Sequence, residues 1–223
     1  MKENYKIIEI ETHPKRKQIN WFNTFSNPCY SVTSKIDVTN VLNYSHKNNS
    51  SFFINFCFVC MKELQKIEEF RMRIVKDQIR IYDSINASVI ATTKSGIYDN
   101  GTVKFDNSYH NFYKNAHIVI EGIKAQETVK ETFEDDEYFS DFYISCLPWL
   151  NFESIGQALP DGNKEACSVP RLLWGKYYLE NDRYYLSLSI TASHVFVDGK
   201  PMADAFNNIQ HAIDRFDDYV EEI

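Results

Sequence analysis

From Tyr184 to Ala192 the chain alternates strictly, apolar at the even positions Leu186, Leu188, Ile190 and Ala192 and mostly hydroxyl-bearing at the odd ones. A period of two predicts a half-buried strand. Tyr30–Asp37 alternates in the same way, and Thr39 then caps a short helix ending near Tyr44. Ser51 opens a long helix from Phe52 to about Phe70, apolar all round in its first half and therefore buried. Arg71–Val75 and Gln78–Tyr82 read as a hairpin through Lys76-Asp77, Ala87–Ala91 as a further strand, and Lys94–Gly101 as loop. Phe112, Ala116, Val119 or Ile120, and Ile123 recur at helical spacing between Asn107 and Gln126. Glu131–Glu137 is acidic and expected on the surface, and Tyr138–Leu147 is a strand stopped by Pro148. Asn151–Ala166 is irregular. Leu172–Leu179 and Tyr184–Val195 form a hairpin across Glu180-Asn181-Asp182. Met202, Ala205, Phe206, Ile209, Ile213 and Phe216 make the core stripe of a last helix. Strands outnumber helices, which predicts an α/β fold with helices packed on a large, mostly antiparallel or mixed sheet.

Composition narrows the class. The 223 residues suit one domain spanning 1–223, with no repeat, linker or low-complexity segment. Net charge is −7, and the longest basic cluster is Lys15-Arg16-Lys17, read as a solvated surface run. That balance argues against nucleic acid or an anionic membrane as partner. The longest apolar run, Phe56–Met61, is too short to cross a bilayer. Five scattered cysteines and a start without an apolar leader point to a reducing cytoplasm. Cys57 and Cys60 form a CxxC, but they lie in the apolar helix with no second pair, so they read as core residues and no metal site is expected.

The candidate chemistry sits at Ser193-His194-Val195-Phe196-Val197-Asp198-Gly199, where the hydrophobic strand gives way to a helix begun by Lys200-Pro201. His194 falls on the apolar side of the strand, so its ring points inward. The Asp-Gly pair marks a turn that brings Asp198 back towards it. A histidine at a strand end with a returned aspartate can form an oriented general base. Taken alone, the pair fits a satisfied core histidine more readily. The chain has no phosphate-binding glycine loop and no GxSxG elbow.

Several local sequences read together say more. Ser31-Val32-Thr33-Ser34-Lys35-Ile36-Asp37-Val38-Thr39, Glu69-Phe70-Arg71-Met72-Arg73-Ile74, Ile144-Ser145-Cys146-Leu147-Pro148-Trp149-Leu150-Asn151-Phe152-Glu153-Ser154 and Gly175-Lys176-Tyr177-Tyr178 precede the His-x-x-x-Asp-Gly turn in one order. That ordered set resembles the trimeric chloramphenicol acetyltransferases, from about Arg16 to Phe216. The resemblance implies a two-layer α/β sandwich of the CoA-dependent acyltransferase type, with acetyl-CoA as cosubstrate and no permanently bound cofactor. It also implies a homotrimer with active sites between subunits, and chloramphenicol or a similar small alcohol as acceptor. By the same resemblance His194 is the general base, Ser145 donates to the oxyanion, and Asp198 pairs with Arg16 to shape the site. Phe22, Cys29, Phe105, Tyr143, Ile155 and Leu173 would line the acceptor pocket, and Trp149, Lys176 and Tyr177 the CoA tunnel.

Physical chemistry supports those roles independently. A base that removes the hydroxyl proton as attack begins is worth ~10²–10⁴-fold, and one donor aimed at the developing oxyanion roughly 10²–10³-fold. The chain departs from the family pattern at Ser193, which stands where the first motif histidine is usual. Ile155, Gln157 and Leu173 alter the acceptor pocket, and Ser51-Phe52-Phe53-Ile54 the start of the buried helix. Three rivals stay open: a same-fold enzyme for another alcohol, a non-catalytic trimeric ligand-binding homologue, and a dihydrolipoyl acyltransferase core. The last is disfavoured because no lipoyl-bearing domain or linker is seen.

Overall fold

The computed structural model describes residues 4–129 and 141–221. Along the chain run β1 (Tyr5–Ile8), α1 (Arg16–Phe22), β2 (Cys29–Asp37), α2 (Thr39–Lys47), α3 (Phe52–Gln65), β3 (Met72–Val75), β4 (Gln78–Tyr82), β5 (Asn86–Thr92) and β6 (Tyr98–Val103). Then come α4 (Tyr109–Ala125), β7 (Asp141–Leu147), α5 (Lys164–Cys167), β8 (Arg171–Gly175), β9 (Tyr178–Glu180), β10 (Arg183–Ser193), α6 (Gly199–Asp214) and α7 (Phe216–Glu221). The acidic stretch Glu131–Glu137 and the predicted strand start at Tyr138 lie outside the described residues.

The large sheet runs β2-β10-β8-β7-β5-β6, with β9 also paired to β10. It is mixed, because β7 lies parallel to both β5 and β8 while the other pairs are antiparallel. A small antiparallel sheet, β1-β4-β3, stands apart. The alternation of β10 decides the layering. Leu186, Leu188, Ile190 and Ala192 are all buried, in one core with Phe56, Phe58 and Val59 of α3 and Phe206, Ile209 and Ile213 of α6. The hydroxyl-bearing positions face the other way. Helix α3 is buried from Ile54 to Met61 and is capped by the Ser51 hydroxyl, which accepts from the Ile54 N–H at 3.4 Å.

Turn chemistry sets the hairpins. Lys76 and Asp77, and again Asn181 and Asp182, hold φ between 48° and 61°. Two consecutive positive-φ residues match the right-handed twist of the flanking strands. The structure corrects four expectations. Helix α3 stops at Gln65, and Glu68–Arg71 forms a 3-10 turn anchored by the fully buried Phe70. The expected loop 94–101 gives way to strand β6 from Tyr98. Gly101 hides that strand in the sequence, yet a Cβ there would lie 2.7 Å from Cγ1 of Val119 on α4. The strand expected over Leu172–Leu179 breaks into β8 and β9, because the Lys176 N–H turns to the Leu150 carbonyl at 2.8 Å. The final helix begins at Gly199 and gives way to α7 after Asp214.

The 148–152 segment lies tightly on β8, and Gly175 permits it. A Cβ at Gly175 would stand 2.8 Å from the Leu150 carbonyl oxygen and 3.0 Å from the Phe152 ring, whereas one at Gly156 meets nothing within 4 Å. G175A is therefore expected to lose about 1–3 kcal/mol of stability in chemical denaturation, with G156A close to the parent. Equal stability of the two variants would contradict the packing.

Candidate functional site

Strand β10 delivers His194 to a built turn. The His194 N–H donates to the Pro28 carbonyl at 2.9 Å, extending the pairing with β2 by one step. The Phe196 and Val197 N–H groups both donate to the Ser193 carbonyl, at 3.1 and 3.0 Å. The Ser193 hydroxyl accepts from the Val195 N–H at 3.3 Å, so the residue replacing the usual first histidine braces this turn. Val195, Phe196 and Val197 are buried and fix the backbone. Asp198 then caps α6 through its backbone carbonyl, accepting from the Met202 N–H at 3.1 Å, and its carboxylate remains free for other partners.

The His194 side chain is 35% exposed. Its ring stacks on Phe22 at 4.1 Å and 9°, with Tyr30 on a tilted approach at 4.7 Å. Phe22 reaches it because Ile19, one turn earlier on α1, is buried in the core. Nδ1 is buried, makes no hydrogen bond among the described residues, and lies 3.7 Å from Oδ1 of Asp198. With that nitrogen facing a carboxylate, the proton belongs on Nδ1, which leaves the Nε2 lone pair for chemistry. The Tyr30 hydroxyl donates to the Val197 carbonyl at 3.2 Å, and its pKa is pushed up to about 12, by burial first and then by the Asp198 charge.

The cation at Asp198 is Lys15, not Arg16. Lys15 Nζ lies 3.0 Å from Asp198 Oδ2 and 2.8 Å from Glu69 Oε1, and donates to the Phe196 carbonyl at 3.4 Å. Arg16 turns out to solvent and pairs with Glu11 at 3.2 Å. Lys15 precedes α1 while Arg16 opens it, and the two side chains leave the backbone in different directions. The basic triplet thus includes one residue tied into the site's frame as well as surface charge.

Other candidate residues gather elsewhere on the sheet. Ser145 of β7 is level with Leu173 of β8, which is level with Ser189 of β10. All three share the face opposite the helices, with Tyr143 two residues before Ser145. Ser189 is fully buried and its hydroxyl has no partner among the described residues. Residues 152–157 cross this face: the Ser187 hydroxyl donates to the Phe152 carbonyl, and Gln157 Nε2 donates to Thr191 Oγ1 at 3.2 Å. Thr191 in turn shares a 2.7 Å hydrogen bond with Ser31. Ile155 lies in the same segment. Trp149, 71% exposed, follows β7 beside the Leu150–Lys176 contact, and Tyr177 packs edge-on against Phe52 and Tyr184. Trp149, Lys176 and Tyr177 therefore sit at one end of β7 and β8.

Three acceptor candidates stand apart from this face: Phe22, stacked on His194, with Phe105 and Cys29. Phe105 packs on Phe112 of α4 and lines a cleft with Lys62, Lys66 and Asp106. It shares the parity of the buried Val103, which puts it on the helix side. Cys29 donates its thiol to the Cys167 carbonyl at 3.2 Å, beside Ser193 rather than Ser145. The sequence reading missed Ile90, Tyr98 and Asn100. Ile90 of β5 is 46% exposed and pairs with Asn100 of the edge strand β6, while Tyr98 of β6 pairs with Thr92, on the open face beyond β7. Val89 and Ile90 are both apolar and break the period of two, so no local pattern marked Ile90 as outward-facing.

One separation dominates the geometry. Ser145 is level with Ser189, and His194 lies five residues further along β10 and two strands across. At about 3.3 Å per residue and 4.8 Å per strand, the two side chains are roughly 19 Å apart within one chain. Among the described residues no His/Cys/Asp/Glu cluster suits a metal ion, and no helix is long and apolar enough to cross a membrane.

This architecture is that of a CoA-dependent acyltransferase. A solved chloramphenicol acetyltransferase superposes with TM-score 0.83 at 23% identity, over 94% of this chain and 99% of that one. A dihydrolipoamide acetyltransferase from Azotobacter vinelandii follows with TM-score 0.65 at 15% identity, over 92% and 88%. By sequence, the chain is 23% identical to the chloramphenicol acetyltransferase of Proteus mirabilis, over 93% of this chain and 94% of that one. It is 25% identical to that of Staphylococcus aureus, over 97% and 99%. The family model for chloramphenicol acetyltransferase matches residues 3–210, and the chain belongs to that family of acyltransferases.

Cys29, Cys57, Cys60 and Cys146 are held as neutral thiols. Burial pushes the Cys29 thiol up to about 12, helped by Cys167, and Cys146 up to about 11, and raises Cys57 and Cys60 as well. Iodoacetamide at pH 8 is expected to alkylate the folded protein roughly tenfold or more slowly than the unfolded chain. Rapid labelling of the folded protein at Cys29 would contradict this.

Proposed function

We propose that the protein is an acetyl-CoA-dependent O-acetyltransferase that esterifies a hydroxyl of chloramphenicol, confers resistance to that antibiotic, and works as a cytoplasmic homotrimer. The observation carrying this reading is the imidazole of His194, held between Phe22 and Tyr30 with its Nδ1 towards Asp198 and its other nitrogen free. Nε2 takes the proton from the acceptor hydroxyl as that oxygen attacks the thioester carbonyl. The Ser145 hydroxyl donates to the oxyanion of the tetrahedral intermediate. The C–S bond then breaks, and the imidazolium returns its proton to the leaving thiolate, giving the acetyl ester and free coenzyme A.

Ser145 and His194 are too far apart in one chain to touch the same carbonyl, which supports a site completed by a second copy. In this arrangement His194 of one subunit faces Ser145, Tyr143, Ile155 and Leu173 of its neighbour. Trp149, Lys176 and Tyr177 line the approach of coenzyme A. The A. vinelandii acetyltransferase, studied for a serine, a histidine and an asparagine in its catalytic mechanism, offers a parallel to Ser145, His194 and Asp198. A second reading keeps the chemistry and changes the acceptor to a more polar alcohol. Gln157, already bonded to Thr191, and Asn100 on the open face favour it.

Thiol release from acetyl-CoA separates the two readings. Turnover with chloramphenicol supports the first, and turnover only with other alcohols selects the second. H194A should lower kcat by roughly 10²–10⁴-fold while the assembly persists, and near-normal turnover would refute the base assignment. S145A should lower kcat by about 10²–10³-fold with KM little changed. A variant losing only affinity would remove the oxyanion role.

A further inference from the structure

We infer that Lys15 is a positioning residue that sets the titration of His194, by holding the Asp198 carboxylate and compensating its charge next to the imidazole. The inference rests on the reading of His194 as the base, but its primary test does not require catalysis. Oδ2 of Asp198 is engaged by Lys15 at 3.0 Å, while Oδ1 stands 3.7 Å from the unpartnered Nδ1 of His194. That distance is beyond a hydrogen bond but well inside the range where a full charge acts. An uncompensated carboxylate there would favour imidazolium, and a protonated ring cannot accept the acceptor's proton.

The groups around His194 narrow the source of control. Phe22, from α1, is uncharged. Tyr30 and Cys29, from β2, are each pushed up to about 12 by burial and stay neutral at working pH. Asp198, at the start of α6, is the charge that faces the ring. Behind it, Lys15 is shared with Glu69 at 2.8 Å, so a second carboxylate draws on the same ammonium. Burial works to lower the Lys15 pKa, but Glu69 and Asp198 outweigh it and raise the pKa, so the cation persists through the pH range in which histidine titrates. One cation between two carboxylates makes the balance adjustable in either direction.

The test is an NMR titration of the full-length protein carrying isotope-labelled histidine, with the His194 signal assigned by its loss in H194Q. K15M should raise the His194 pKa by roughly half to one pH unit. K15R, which keeps the cation, should leave it within about 0.2 unit of the parent. D198N should lower it. A folded K15M whose His194 titrates like the parent overturns the inference. Should K15M fail to fold by circular dichroism, E69Q decides: it frees the ammonium for Asp198 and should lower the pKa by roughly a few tenths of a unit. An unchanged value in E69Q would then overturn the inference. In the acetyl-transfer assay, the acid limb of kcat/KM should move with the NMR value in each variant. Titrations that shift as stated in a protein that transfers no acetyl group uphold the electrostatic role and overturn only the catalytic reading.

Discussion

Strand β10 is the constraint on which the rest depends. Its even positions are wholly apolar and can be satisfied only by a layer of helices, which α3 and α6 supply. Its odd positions carry hydroxyls that face the opposite side, where residues 152–157 and Ser31 provide partners. Pairing with every residue of β2, from Tyr185↔Asp37 to Ser193↔Cys29, fixes where the strand ends. His194 is therefore not placed by a flexible loop. It is the residue at which an eleven-residue strand runs out, and its ring inherits the rigidity of the sheet.

The same register keeps the proposed catalytic groups, His194 and Ser145, apart. A strand that holds His194 at its end and Ser189 level with Ser145 cannot bring both side chains to one carbon atom. The proposed acetyl transfer therefore uses two copies, each contributing what the other lacks. Exposed Ile90 and Trp149 on or beside the open face fit that picture. A sheet with one face under helices and the other bearing apolar side chains in solvent fits the proposed pairing with a second copy.

Much of the frame was legible in the sequence, because period-two and helical spacings are local signals. The strand leading to His194 was read close to its observed limits, and so were the starts of α3 and the last helix, whereas the ends of both helices were not. The misses have physical causes. Strand β6 was hidden by Gly101, which is needed for the approach of Val119 and says nothing locally about a strand. Phe105 was assigned by sequence alignment, whereas its parity with Val103 sends it to the core. The Asp198 partner was assigned one residue away, and Lys15 just before α1 leaves the backbone in a different direction from Arg16 at its start. The contribution of Glu69 joins segments more than fifty positions apart in sequence, a link no local pattern contains.

The central claim is that His194 and Ser145 serve one reaction from different chains. Co-assembly of the H194A and S145A chains, after joint unfolding and refolding, measures it directly through thiol release from acetyl-CoA with an accepted alcohol. Each variant alone should be nearly inactive, and the mixture should regain a substantial fraction of parental turnover through sites that join an intact His194 to an intact Ser145. A mixture no more active than the separate variants, with mixed assemblies verified by mass, would contradict the account.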